Sequence, residues 1–153
     1  MKNTFWKRER IEIMTALALF NYVFLGAEYL FDNMMAFQTD SGGVVLAQSY
    51  VLGSSTVGFL LFGVLDGKMR ERAKKAGSAG AGVLAAVCLW GIQVHQSYGS
   101  TLAAGLILYV LLGIAGSLVH YRAACRYGME EHLAETVGVS YATGLFYSFL
   151  KII

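Results

Sequence analysis

The chain has 153 residues, 56% of them apolar and 14% charged, against about 45–50% apolar and roughly 25% charged in a soluble domain, so an ordinary soluble protein is excluded. An aromatic content of 13% excludes a disordered chain, and a net charge of +2 is too small to argue for nucleic acid as a partner. The lipid bilayer is the expected partner: at about 20 residues per spanning helix, this length allows about five spans and no separate soluble domain.

Apolar runs occupy about 11–31, 43–65, 77–95, 101–120 and 135–153, separated by short polar or charged stretches. Runs such as Gly105-Leu106-Ile107-Leu108-Tyr109-Val110-Leu111-Leu112 are apolar all round, whereas barrel strands alternate every second residue. The expected fold class is therefore all-α, a polytopic transmembrane helix bundle forming a single domain.

The first run follows Lys7-Arg8-Glu9-Arg10. It reads as a retained helix rather than a signal peptide, because the small residues Ala16 and Ala18 stand near its start and it continues through Asn21 and Glu28. Asn21, Glu28 and Asp32 are spaced by seven and four residues, which places them within roughly 40° of one another on a helix. A carboxylate in the hydrocarbon slab costs about 2.5–3.5 kcal/mol and usually faces a protein interior or a water-filled cavity. The stripe is thus a candidate substrate or ion pathway. Two readings stand for the acids: a pathway lining, or residues close enough to headgroup water merely to end the helix.

In the second run, Gln48 and Ser55 share a face, and Ser54 with Gly58 forms a small-residue pair suited to close helix packing. Ser78, Gly82 and Ala86 make a similar row in the third run, as do Gly138 with Ala142 and Ser140 with Gly144 in the fifth. The fourth run carries Tyr109 deep within it, readable as a packed aromatic or as a pathway residue. Cys88 and Cys125 would lie in the membrane and a reducing compartment, so no disulfide is expected. His95, His120 and His132 have no metal-ligand spacing. With no nucleophile elbow, phosphate loop or central acid–base pair, neither an enzyme nor a metal or other cofactor is expected.

Lys2, Lys7, Arg8 and Arg10 precede the first run, Lys68, Arg70, Arg72, Lys74 and Lys75 separate the second and third, and Arg122 and Arg126 follow the fourth. The intervening loops, Asp32 to Gly42 and Gln96 to Ser100, carry no Lys or Arg. The positive-inside rule then predicts a multi-pass protein of the cytoplasmic membrane with its amino terminus in the cytoplasm.

Three stretches carry a family likeness. Gly63-Val64-Leu65-Asp66-Gly67-Lys68-Met69-Arg70-Glu71-Arg72, Leu108-Tyr109-Val110-Leu111-Leu112-Gly113-Ile114-Ala115-Gly116 and Val137-Gly138-Val139-Ser140-Tyr141-Ala142-Thr143-Gly144 resemble, in order, the loop between helices two and three, the fourth helix and the start of the fifth helix of major facilitator superfamily transporters. Gly67 stands where that family usually has an arginine, Tyr109 does so in the fourth helix, and no arginine precedes the third stretch. The resemblance implies a helical bundle whose first and fourth helices line a cavity for a small-molecule solute. It also implies a gating contact by Asp66 with the basic loop of Lys68, Arg70 and Arg72; the positive-inside rule alone would also produce that basic loop. Such a transporter needs two six-helix halves, so the expectation is the amino-terminal half of a longer carrier with a carboxy-terminal half still to come. The alternatives are a transporter-like sensor or anchor joined to an appended domain in a bacterial regulator, or a small oligomeric membrane protein.

Overall fold

A computed structural model describes the backbone of residues 8–68, 71–94, 97–127 and 133–150, and the side chains of 10–65, 67–68, 77–94, 97–125 and 134–147. It comprises five α-helices, α1 (Arg8–Ala36), α2 (Ser41–Asp66), α3 (Glu71–Gln93), α4 (Tyr98–Tyr127) and α5 (Leu133–Leu150), with no strand among the described residues. Among the described residues, three stretches are long and apolar enough to cross a membrane: Arg10–Ala36, Ser41–Leu65 and Tyr98–Cys125. The chain therefore has the helices of a membrane protein. Of the five expected spans, the third gives a shorter apolar stretch among the described residues, Gly77–Gln93.

Helix ends are set by backbone capping rather than by the limits of the apolar runs. α1 continues past residue 31 through Asp32 and Asn33 and stops where the N–H groups of Gln38 and Thr39 turn back onto the Met35 carbonyl, at 2.9 and 3.1 Å. Asp40 then caps α2, its carboxylate accepting from the Gly43 N–H at 3.0 Å, a contact that stabilises a helix start by about 1 kcal/mol. Only 22% of the spanning windows of α1 and α2, and 33% of that of α4, is buried within the protein. α4 is thus the most enclosed of the three. Leu60, Val83 and Trp90 are among the exposed apolar side chains, a pattern that water penalises and hydrocarbon does not.

The chain divides into two compact units, residues 1–26 with 118–153 and residues 27–117. In the first, Ile13 and Leu17 of α1 pack on Ala123 of α4, with Val119 and Val137 against them. The buried face of α5 is Thr136, Ser140 and Gly144, four residues apart; a methyl group on Gly144 would lie 2.8 Å from Asn21 Cβ and 2.9 Å from the Ala18 carbonyl. Small residues here let two backbones approach.

In the second unit, Ala27, Phe31 and Met35 of α1, Ala47, Val51 and Ser55 of α2, Cys88 and Ile92 of α3, and Thr101, Leu108 and Tyr109 of α4 form the interior. α2 and α4 meet at Gly58 and Gly113, where a methyl on Gly58 would strike the Val110 carbonyl and one on Gly113 the Ser55 carbonyl. Ser54 Oγ donates to the Leu106 carbonyl at 3.2 Å and Ser117 Oγ to that of Phe59 at 3.3 Å. The Ser54–Gly58 row thus packs as its spacing predicts, and Ser140 with Gly144 is buried. Ser78, Gly82, Ala86, Gly138 and Ala142 are exposed; small size permits close approach without specifying which face receives a neighbour.

Candidate functional site

The second unit gathers polar groups from three helices. On α1, Glu28 and Asp32 stand one turn apart and so project from the same face. Asp32 precedes the cap residue Asp40 by eight positions and Gln48 follows it by eight, so the short turn brings Gln48 of α2 opposite the two acids. Gln48 Nε2 donates to Glu28 Oε1 at 2.9 Å and to Asp32 Oδ2 at 3.0 Å, which engages both hydrogens of the carboxamide. All three side chains are partly buried. The second Asp32 oxygen, Oδ1, is shielded from solvent and accepts no hydrogen bond among the described residues.

From α4, Tyr109 is fully buried, and both Glu28 and Asp32 lie within electrostatic reach of its phenol. Its ring meets Phe31 edge-on with centroids 6.4 Å apart. Phe31 is held in turn against Gly105, where a methyl group would overlap the Phe31 ring. The absence of a side chain at Gly105 is therefore what admits Phe31 and, through it, positions Tyr109. Nearer the α1–α2 turn, Gln38 Nε2 donates to Thr101 Oγ1 at 3.0 Å, tying α1 to the start of α4.

Two carboxylates a turn apart in a poorly solvated setting repel each other, and a proton or cation held between them removes that repulsion. Gln48 supplies donors to one oxygen of each acid and leaves Asp32 Oδ1 available. The arrangement can therefore take up and give back a positive charge.

Of the residues singled out from the sequence, Glu28, Asp32 and Tyr109 come together. Asn21 belongs to the first unit, where it is buried against Gly144 and its Nδ2 has no hydrogen-bond partner among the described residues. Lys68 is exposed just past α2, its backbone N–H turned onto the Leu65 carbonyl at 3.1 Å. The side chains of Asp66, Arg70 and Arg72 lie outside the described residues. Cys88 and Cys125 are free thiols. Gln48 is the residue whose role the spacing did not give: its sequence signal was the face of α2 it shares with Ser55, seven residues on. Comparison with protein-family models, with curated proteins and with solved structures finds no match to this chain.

Proposed function

We propose that this chain is a transport module of the cytoplasmic membrane, amino terminus inside, that moves a small solute together with a proton or a monovalent cation. The observation that carries this reading is the sharing of one Gln48 carboxamide by Glu28 and Asp32 within the α1 and α2 spans. Carboxylates at such positions usually mark ion pathways and proton relays. Glu28 and Asp32 hold the positive charge, Gln48 fixes their separation, and Tyr109 closes the site from α4. Binding at the pair favours whichever helix packing brings the two acids together, so occupancy biases the equilibrium between two packings. The likeness of residues 63–72, 108–116 and 137–144 to stretches of major facilitator superfamily carriers supports the same reading and assigns a gating role to Asp66 with Lys68, Arg70 and Arg72.

The test is flux through the full chain reconstituted in liposomes. A trapped pH-sensitive dye and separately imposed Na+ and K+ gradients report proton and cation movement. Protein-dependent flux, largely abolished by combining Glu28→Gln with Asp32→Asn at matched incorporation, is the expected result. Flux no greater than in protein-free liposomes for all three ions, or undiminished in the double variant, overturns the proposal.

A further inference from the structure

By charge alone, the Glu28–Asp32 pair would accept a proton or a metal cation equally, and the geometry of Gln48 separates the two. We propose that Gln48 makes the pair selective for the proton, held on Asp32, over Na+ and K+. The inference rests on the reading of this pair as a site for positive charge and decides which charge it takes.

Three features carry it. The first is the atom of Gln48 that faces the acids. One nitrogen, Nε2, stands 2.9 Å from Glu28 Oε1 and 3.0 Å from Asp32 Oδ2. An oxygen in its place would confront two acceptors, so the hydrogen-bond pattern itself assigns the orientation of the carboxamide. The seat between the carboxylates is thus filled by two N–H hydrogens, the positive end of the amide dipole, which attract the acids and repel a metal cation. Turning the carboxamide to offer Oε1 instead would break both hydrogen bonds.

The second feature is the backbone. A monovalent metal ion gives up its hydration shell where several oxygens replace it, and carriers that bind Na+ draw those oxygens from unwound helix. Here α1 and α2 run unbroken through positions 28, 32 and 48, so their carbonyls are committed to the helical ladders. The third feature is Asp32 Oδ1, which is shielded from solvent and accepts no hydrogen bond among the described residues. A hydrated ion does not reach an oxygen that water does not reach, whereas a proton adds almost no volume. Uptake of a proton from the aqueous phase forms one O–H bond at Oδ1, neutralises Asp32 and leaves both hydrogen bonds from Gln48 in place. The titratable groups within electrostatic reach of Asp32 are Glu28 on its own helix and Tyr109 from α4. α2 presents the neutral Gln48, and the described side chains of α3, from Gly77 to Gln93, include Cys88 as their one titratable group.

The experiment is infrared spectroscopy of the full chain in liposomes over a pH series, in NaCl, KCl or choline chloride of equal concentration. The part of the protonated-carboxyl C=O band that Asp32→Asn removes should be the same in all three salts at every pH. Gln48→Glu, which sets oxygens in place of the N–H donors, should make the band sensitive to salt, with Na+ or K+ lowering it several-fold relative to choline. Gln48→Ser, which empties the seat of N–H donors, serves the same comparison where the Glu variant does not fold. An Asp32 band that falls in Na+ or K+ in the unaltered protein overturns the proposal, as does a band that Asp32→Asn leaves unchanged. Salt-insensitive bands in the folded Gln48 variants overturn it too, because the carboxamide would then not be what excludes the metal. Flux carried by Na+ or K+ in liposomes overturns the selectivity and keeps the transport reading. A salt-insensitive Asp32 band without any ion flux keeps the proton site and removes that reading.

Discussion

Gly58 of α2 and Gly113 of α4 lie so close that a methyl group built on Gly113 would sit 3.1 Å from the Gly58 Cα and overlap the Ser55 carbonyl. The obstacle on each side is backbone, which cannot rotate away as a side chain can. Gly58→Ala and Gly113→Ala are each expected to destabilise the protein by about 1–3 kcal/mol through overpacking. Gly53 and Gly63 on the same helix have nothing within 4 Å of an added Cβ, so Ala there should be neutral or stabilising by up to about 1 kcal/mol. Unfolding of the four variants in mixed micelles against increasing SDS measures the contrast, and a loss of similar size at all four positions would show that helix propensity, not contact, is responsible.

Replacing Gln48 by Leu leaves two partly buried carboxylates without their shared donor. A hydrogen bond to a charged group contributes about 1.5–3 kcal/mol, so Gln48→Leu should lower stability by at least about 2 kcal/mol. Removing the acids as well, with Glu28→Leu and Asp32→Leu, should restore most of that loss, since apolar replacement of both partners is nearly neutral. Thermal unfolding in detergent for the single and triple variants tests this. A triple variant less stable than Gln48→Leu alone would mean that the acids have other partners.

Tyr109→Phe keeps the ring that meets Phe31 and removes only the phenol near the two acids. Stability should change by no more than about 1.5 kcal/mol, the contribution of an ordinary hydrogen bond. Ion flux in liposomes should change, with a shifted dependence on pH. Flux and pH profile identical to those of the unaltered protein would reduce Tyr109 to a packed aromatic.

The proposed topology can be tested on α2. Ser41 and Lys68 flank a helix of 26 residues, about 39 Å long, and both are exposed. With the amino terminus in the cytoplasm, Ser41→Cys should react with an impermeant thiol reagent applied outside intact cells, and Lys68→Cys only after the membrane is opened. The reverse pattern inverts the orientation. Reaction of both from one side would remove α2 from the membrane.

Much of this was legible in one dimension. The 3.6-residue period sufficed to place Glu28 and Asp32 on one face of α1, and the small pair Ser54 and Gly58 marked the surface on which α4 packs. Gln48 as the bridge was not legible, because a spacing along one helix carries no information about which residue of the next helix lies opposite. That depended on the four-residue turn from Phe37 to Asp40 and the cap on Gly43. Asn21 illustrates the converse. It shares the stripe by angle, yet its environment is decided by the glycine at position 144, far away in sequence.

The Asp40-capped turn also bears on how the chain enters a membrane. Inserted alone, α1 would carry Glu28 and Asp32 into hydrocarbon at a cost of several kcal/mol. Inserted as a hairpin, it arrives with Gln48 already facing both acids, since the partner lies on the very next helix and the connection is only four residues long. Pairing of the two acids with Gln48 therefore requires no later helix: a ribosome-bound chain needs to have released little beyond α2 before Glu28 and Asp32 have their shared donor. The translocation machinery would then handle α1 and α2 as one unit, with the second helix acting as chaperone to the first.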